Sequence, residues 1–314
     1  MRLPRNQIIE GDVRHVLPTL PESSVDCVIT SPPYFALRNY GTDDQIGLEA
    51  SVERWVEQLV DVVEASGRLL KPTGSLWLNL GDSYSRHESV GAPAKSLLLG
   101  PERIALELTK RGWTVRNKIV WAKTNPMPSS VKDRLSCTWE SIYLLTHSRH
   151  YYFDLDAIRI PHRTTRTAGS TADRSGGETT GTASLSKPDW AGPLAGNQSG
   201  LKAAKAAGRA GHPLGKNPGD VWHLATSNFR GAHFATFPEQ LVTRPLLASC
   251  PERVCTNCDE PWRRGTHRLV GHLAVAGELE PGCDCGGEHR PGIVLDPFLG
   301  AGTVAVAARR HGRD

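Results

Sequence analysis

The chain has 314 residues, and 37 Lys and Arg against 33 Asp and Glu give it a formal charge of +4. It contains no apolar run near the roughly 18 residues that span a membrane, and residues 1–12 lack the apolar core of a secretion signal. Four of the seven cysteines crowd between residues 255 and 285, which without a signal peptide indicates metal ligation in a reducing compartment. These features exclude secreted, membrane-spanning and fibrous proteins and predict a cytoplasmic location.

The first part of the chain alternates short apolar runs with an amphipathic stretch. Residues 25–30 and 75–80 predict buried strands, because each is a short apolar run closed by turn residues. Between them, the sequence predicts a helix that begins near Val52 and ends at Gly67, followed by a turn at residues 71–74. The buried face of this helix has the i, i+3, i+4, i+7 spacing and comprises Val52, Trp55, Val56, Leu59 and Val63.

The same alternation continues further along the chain. A second helix is predicted to begin at Pro101, and strands are predicted at residues 114–121 and 141–146, for which an antiparallel pair is one possible arrangement. Residues 293–295 predict another strand, and an alanine-rich helix is predicted to run from there to Asp314. Strands that alternate with helices predict an α/β fold with a doubly wound, mostly parallel sheet.

Residues 161–219 depart from this pattern and are rich in Gly, Ser, Thr and Ala. Within residues 161–216, eight Lys and Arg stand against three Asp and Glu, so this part carries a charge of +5. One interpretation is a solvated insertion without a fixed structure. The other is a segment that contacts a polyanion.

The predicted strand 293–295 is followed by Asp296-Pro-Phe-Leu-Gly-Ala-Gly-Thr303. A strand, a Gly-rich turn and a helix bring backbone close to a ligand at the carboxyl edge of a parallel sheet, and Gly300 and Gly302 leave room for that approach. A tight turn without any ligand fits the same residues. A phosphate-binding P-loop is disfavoured, because no Gly-Lys-Ser/Thr follows.

A second motif, Thr30-Ser31-Pro32-Pro33-Tyr34, follows the predicted strand 25–30. The double proline stiffens the turn and makes the Ser31 Oγ and the Pro32 carbonyl two fixed hydrogen-bond acceptors beside an aromatic ring. Such a set suits an aromatic amine, whose N–H groups need acceptors and whose ring needs a stacking partner. An ordinary Pro-Pro turn with a surface tyrosine is the alternative.

Together, the two motifs resemble the β-type DNA amino-methyltransferases, in which a Ser-Pro-Pro-Tyr motif precedes the target-recognition region and the S-adenosylmethionine motif follows it. Further similarity lies at Gly11-Asp12, at residues 112–123 and at residues 233–238. The resemblance covers nearly the whole chain except residues 161–219, and it implies a class I S-adenosylmethionine-dependent methyltransferase fold. Such a protein is encoded by a bacterium or a phage.

The resemblance also implies a role for each motif residue. Ser31, Pro32, Pro33 and Tyr34 would hold a flipped base and pin its amine N–H groups, so that the nitrogen lone pair faces the methyl donor. Serine in the first position resembles the cytosine-N4 branch, and adenine N6 is the alternative target. The donor would lie against Asp12, Phe237, Pro238, Asp296, Pro297, Phe298, Gly300, Gly302 and Thr303.

The cysteine-rich stretch reads Cys255-Thr-Asn-Cys258, and later Cys283-Asp-Cys285. Four thiolates at this spacing can close a tetrahedral structural zinc site, and no open position would remain for catalysis. Cys250 or His289 could replace one ligand, and cysteines without a metal are the alternative.

These interpretations give a domain organisation and a set of partners. The expected parts are a catalytic part at 1–160, a target-recognition insertion at 161–230, a return to the methyltransferase domain at 231–249, a cysteine-rich unit at 250–290 and a donor-binding strand, turn and helix at 291–314. Double-stranded DNA is the expected partner, and a cognate restriction enzyme is a possible second one.

A ribose-binding acid expected about 20 residues after the Gly-rich turn falls beyond Asp314, so the donor-binding part is expected to be truncated. An inactive DNA-binding remnant is therefore the alternative to an active enzyme.

Overall fold

The computed structural model describes residues 3–42, 44–161, 212, 214–227, 237–266, 268–270 and 273–314. Most of the predicted insertion 161–230, and residues 233–236, lie outside this part of the chain. The chain divides into two compact units. The larger unit comprises Met1–Ile158, Pro218–Thr266 and Ala276–Asp314, and the smaller one comprises Arg159–Asn217 and His267–Val275.

The larger unit contains a sheet of six strands in the order β12-β1-β2-β4-β3-β5. The strands of the chain are β1 (Val25–Thr30), β2 (Leu70–Leu80), β3 (Thr114–Lys123), β4 (Trp139–Thr146), β5 (Val221–Leu224), β6 (Val254–Cys255), β7 (Arg263–Arg264), β8 (Arg268–Val270), β9 (Leu273–Val275), β10 (Leu279–Glu280), β11 (His289–Arg290) and β12 (Val294–Leu295). Strands β12, β1 and β2 are parallel neighbours, as are β3 and β5, whereas β4 is antiparallel to both β2 and β3. The predicted pairing of residues 114–121 with 141–146 is therefore present.

Helices cover both faces of this sheet. They are α1 (Val13–Val16), α2 (Val52–Leu69), α3 (Gly100–Lys110), α4 (Glu239–Ser249) and α5 (Thr303–Arg310). One apolar core joins the sheet to α2 and α3, and a second core joins its other face to α4 and α5. Strand β1 is fully buried and contributes to both, because Val28 faces the first core and Ile29 the second. This is the doubly wound α/β architecture that the sequence predicts.

Two predicted boundaries were wrong. Helix α2 continues past Gly67 to Leu69, and the predicted turn at residues 71–74 belongs to β2. Gly67 is a packing residue, since a Cβ there would stand 2.5 Å from the Trp113 Cζ2 atom. The last helix ends at Arg310, because Gly312 adopts φ +63° and turns the chain back toward the sheet.

The cysteine-rich stretch is joined to the sheet by a buried ion-pair network. The Lys71 ammonium lies 2.9 Å from Asp26 Oδ1 on β1 and 3.3 Å from Asp259 Oδ1, the residue after Cys258. Arg290 on β11 also pairs with Asp259, and its Nη1 lies 3.7 Å from Asp26 Oδ2. The second Asp26 oxygen accepts a hydrogen bond of 2.9 Å from the Ile293 amide, just before β12.

In the smaller unit, Ile160 and Lys216 form an antiparallel bridge, and β8 pairs with β9 as a hairpin. Among the described residues, no helix is both long and apolar enough to cross a membrane.

Candidate active site

The two sequence motifs meet at the carboxyl edge of the sheet. Strands β1 and β12 are parallel neighbours with Val28 opposite Leu295, so the turns that follow them leave the sheet side by side. Thr30 Oγ1 donates a hydrogen bond of 2.7 Å to Asp296 Oδ1. This hydrogen bond joins the carboxyl ends of β1 and β12, although the two residues are 266 positions apart in sequence.

A cavity of about 790 Å³ opens at this edge. Its wall combines residues from the Ser-Pro-Pro-Tyr motif, the Gly-rich turn and the start of α4. The predicted site residues that line it are Ser31, Pro32, Pro33, Tyr34, Phe237, Phe298, Gly300 and Thr303. This volume accommodates drug-sized ligands, and its mouth is open to solvent.

A hydrogen-bond network fixes the side chains on the floor of the cavity. The Tyr34 hydroxyl donates to Glu140 Oε2 at 2.7 Å, and the other Glu140 oxygen lies 2.6 Å from the Lys123 ammonium. Asn79 Nδ2 lies 2.7 Å from the Tyr34 hydroxyl and 3.2 Å from Ser31 Oγ. Burial and the nearby Glu140 charge raise the pKa of Tyr34 well above its ordinary value, so the phenol stays protonated.

This network determines which way the Ser31 hydroxyl points. Because the Tyr34 proton is donated to Glu140, the Tyr34 oxygen is left as an acceptor, and Ser31 Oγ lies 3.2 Å from it. Ser31 can therefore donate its proton to Tyr34, and its Oγ, which accepts from Asn79 Nδ2 at 3.2 Å, keeps a second lone pair for another donor. The arrangement makes Ser31 Oγ an oriented acceptor at the cavity wall.

The backbone of the motif is braced from outside the cavity. Trp55 Nε1 on α2 donates a hydrogen bond of 3.0 Å to the Pro33 carbonyl. Gly81, at the end of β2, lies directly against the Tyr34 ring, since a Cβ there would stand 2.5 Å from Cε2 and 2.8 Å from Cδ2. Gly47, at φ +107°, similarly allows close approach to the Tyr34 carbonyl.

We expect Gly81→Ala to lower by about tenfold or more the turnover of the methyl transfer that the sequence resemblance implies, because the added methyl displaces the Tyr34 ring by about 1 Å. Methyl transfer kinetics and isothermal titration with the donor provide the measurement, and donor affinity should stay unchanged. Gly112→Ala controls for a general loss of stability, since its φ of +94° strains an alanine there but its Cβ meets no atom within 4 Å. Equal losses in the two variants would contradict this role for Gly81.

The Gly-rich turn has a backbone that requires glycine. Gly300 and Gly302 adopt φ +52° and +79°, in the left-handed region, and Gly302 caps the start of α5. Asp296 Oδ1 accepts a second hydrogen bond of 3.0 Å from the Phe298 amide. Asp296 Oδ2 is buried and has no partner within the described residues, and burial raises the pKa of this carboxyl to about 6.

The remaining predicted donor-site residues lie away from this cavity wall. Asp296 and Pro297 line a second cavity of about 500 Å³ next to residues 3–11, and Gly302 lines neither cavity. Pro238 is buried and caps α4. Asp12 caps α1, and its ion pair with Arg14, at 2.6 Å, lowers the pKa of its carboxyl to about 2.

Sequence reasoning missed several polar residues of the cavity, among them Arg38, Asn79, Lys123 and Glu140. Arg38 Nη1 and Asn79 Oδ1 are buried without a partner in the described part of the chain. Asn79 is the signal that could have been found, because it is a polar residue inside the apolar run of β2. Its partner Glu140 follows only from the pairing of β2 with β4.

The four predicted cysteine ligands come together. The Sγ atoms of Cys255, Cys258, Cys283 and Cys285 all lie within 4.8 Å of one another. Cys250 is instead buried in the sheet core, and His289 lies on β11 opposite Cys255 with its ring 5.0 Å from Trp262. The alternative ligand sets are therefore not assembled.

Known proteins resemble this chain along most of its length. The family model described as DNA methylase, for enzymes of the N6 and N4 type, matches residues 25–314. The type II methyltransferase M.Cfr9I of Citrobacter freundii is 31% identical over 328 residues, covering 98% of this chain and 80% of the relative. M.SfiI of Streptomyces fimbriatus is 48% identical over 163 residues, which are 49% of this chain and only 39% of that protein.

The fold also has a solved counterpart. The structure of PvuII DNA methyltransferase (cytosine-N4-specific) superimposes with a TM-score of 0.57 at 16% identity, covering 100% of this chain and 81% of that one. This likeness shows the class I methyltransferase fold. Together with the match over residues 25–314, it means that the chain belongs to the family of N6 and N4 DNA methylases.

Proposed function

We propose that this protein transfers a methyl group from S-adenosylmethionine to an exocyclic amine of a base in double-stranded DNA, with cytosine N4 as the target. The observation that carries the proposal is the oriented acceptor Ser31 Oγ in a cavity whose opposite wall is the Gly-rich turn. A restriction enzyme with the same recognition sequence would be its companion, since the named relatives are type II methyltransferases.

The residues of the turn fit the methyl donor. The donor carries a methionine ammonium group, and the buried Asp296 Oδ2 without a partner is the kind of acceptor that a cation satisfies. Gly300 leaves the backbone bare on the cavity wall where the donor would approach, and Phe237 and Phe298 supply apolar wall. S-adenosylmethionine, when bound, supplies an electrophilic methyl group.

The Ser-Pro-Pro-Tyr motif holds the acceptor base. An exocyclic amine is a poor nucleophile, because its lone pair is delocalised into the ring. The Ser31 Oγ and the Pro32 carbonyl accept its two N–H groups and turn the lone pair out of the ring plane, while the Tyr34 ring stacks on the base. Positioning therefore supplies much of the rate, and no covalent enzyme–base intermediate is required.

The choice of base rests on residue 31. A serine in this position resembles the cytosine-N4 branch of the family, and a neutral hydroxyl whose proton is directed to Tyr34 suits an amine donor. Adenine N6 methylation by the same fold is the alternative. A DNA-binding remnant that does not bind the donor is the alternative from another functional class.

Duplex DNA would meet the protein through cationic residues. Lys123 and Arg38 line the cavity, and Arg38 Nη1 has no partner in the described residues, which fits a phosphate or base oxygen. Residues 161–230 would add the contacts that select the sequence. Binding through such residues weakens steeply as salt rises.

We also propose that Cys255, Cys258, Cys283 and Cys285 bind one Zn²⁺. Four sulfur ligands within 4.8 Å of one another match a closed tetrahedral site. No coordination position remains for substrate, so the role of the metal is structural.

Methyl transfer to mixed-sequence duplex DNA, followed by nucleoside analysis of the product, tests the function. We expect N4-methylcytosine, and we expect Ser31→Ala to lower turnover by about tenfold or more with donor affinity unchanged. N6-methyladenine would reverse the choice of base. Duplex binding without donor binding or transfer would establish the remnant instead.

A further inference from the structure

The loop between β3 and β4, residues 124–138, forms part of the rim of the active-site cavity. Asn125, Pro126, Met127 and Pro128 at its start line the cavity, and so does Cys137 near its end. Within the described residues, this rim loop separates the proposed base pocket from solvent on this side of the cavity.

The rim loop is held firmly at its base. Asn125 Oδ1 accepts hydrogen bonds from the Thr226 amide at 2.7 Å and from the Thr226 hydroxyl at 3.2 Å. The Arg134 guanidinium lies 3.7 Å from the centroid of the Tyr84 ring. These contacts anchor the loop on both sides of its tip.

The tip itself presents a large apolar side chain to solvent. Met127 is 85% exposed although it lines the cavity. It stands between two prolines, which restrict their own backbone and favour an extended conformation for the residue before each of them. The restricted backbone therefore places the exposed thioether of Met127 at the mouth of the proposed base pocket.

A base in a duplex cannot reach the Ser31 hydroxyl without leaving the helix. Its departure unstacks two neighbours and leaves a gap, which DNA-deforming proteins commonly fill with an apolar side chain such as Met, Leu or Phe. Methionine is unbranched and polarizable, so it can enter between base pairs and contact their faces.

We propose that Met127 enters the duplex and occupies the space that the target base leaves when it moves into the cavity. This inference rests on the proposed function. It assigns Met127 a positioning role, distinct from the residues that touch the reacting amine. Lys132 and Arg134 on the same loop give it the charge that the flanking phosphates require.

Met127→Ala is the test, measured on two duplexes that differ only opposite the target base. On fully paired DNA we expect kcat/KM to fall by about tenfold or more. Without the methionine, no side chain fills the gap that the target base leaves, so the base stays stacked in the duplex more of the time. On DNA with a mismatch or an abasic site opposite the target, the loss should largely disappear, because unpairing is already cheap. Met127→Leu should keep most of the activity on both duplexes.

Leu135→Ala is the matched control, because Leu135 is 89% exposed on the same loop but does not line the cavity. We expect it, like Met127→Ala, to leave donor affinity and thermal stability unchanged. Equal losses by Met127→Ala on paired and mismatched duplexes, or no loss on either, would overturn the inference. Failure of the proposed function is distinguishable, since the wild-type protein would then methylate neither duplex.

Discussion

Asp296→Asn is expected to weaken S-adenosylmethionine binding by roughly ten- to a hundredfold, the loss that follows when a charged hydrogen bond is removed. Asparagine keeps an oxygen that can accept from Thr30 Oγ1 and from the Phe298 amide, so the turn should hold its shape. It replaces the unpartnered Oδ2 with an amide that cannot accept from a cation. Isothermal titration with the donor measures the effect.

The same substitution should stabilise the protein without ligand at neutral pH. Burial raises the pKa of Asp296 from 3.8 to about 6, so the folded state resists ionisation of this carboxyl. The ionised group lowers the free energy of unfolding at neutral pH, and this penalty shrinks as pH falls through 6 toward 4, where the folded carboxyl is protonated. The stability of Asp296→Asn relative to the wild type should therefore decrease by up to about 3 kcal/mol as pH falls from 7 to 4.

Denaturant unfolding of the wild type and of Asp296→Asn between pH 4 and pH 7 measures this difference in stability. Asp61→Asn is the control, because Asp61 is an exposed carboxylate on α2 that pairs with Arg111. It should change neither donor affinity nor the pH dependence. Donor affinity at the wild-type level in Asp296→Asn would contradict the placement of the donor cation at this carboxylate.

If the four cysteines bind zinc as proposed, removal of the metal is expected to lower the melting temperature by about 10 °C and to weaken donor binding, although the metal would take no part in the chemistry. The reason is the position of Asp259, which follows Cys258 in the left-handed conformation and pairs with the buried Lys71. Cys255 on β6 is also paired in register with His289 on β11. Loss of the metal releases both connections at once.

The effect should reach the donor-binding turn through Asp26. Arg290 and Lys71 both approach this carboxylate, and it also accepts from the Ile293 amide at the entrance to β12. Strand β12 ends one residue before Asp296. A cysteine-rich stretch that loses its fold therefore loosens the strand that carries the turn.

Metal analysis should find one zinc per chain, and a chelator or Cys258→Ser should produce the loss of stability and of donor affinity together. Cys137→Ser is the control, because Cys137 is exposed and outside the cluster. Protein that is purified without zinc and is indifferent to chelator would contradict the metal site.

The sequence predicts the two motifs that line the site better than the polar residues between them. Ser31 and Asp296 could be placed together, because each follows a buried strand and the carboxyl ends of parallel strands share one edge. Asn79 and Glu140 could not, because their meeting depends on the register between β2 and β4, which sets Asn79 opposite Ile142 and Leu80 opposite Ser141. The fold class and the family are confirmed, whereas the roles of individual residues remain predictions.

Local signals also failed where packing overrode them. Glycine is typical of helix ends, yet the helix continues past Gly67, because the absence of a side chain there makes room for Trp113. The four cysteines, in contrast, were predictable, since their spacing along the chain already restricts the geometry of a ligand cluster. The ion pair between Lys71 and Asp259, which follows Cys258, was not predictable, because a lysine that is 4% exposed has no sequence signature.

The neighbouring positions of β1 and β12 have a consequence for synthesis of the protein. Strand β1 leaves the ribosome early, but its partner on one side is translated more than 260 residues later. Contacts at such separation form late and slowly, because a long stretch of chain must close into a loop before they are made. The Ser-Pro-Pro-Tyr motif is thus translated well before the Gly-rich turn, and the cavity that both line can assemble only after the residues of β12 have been synthesised.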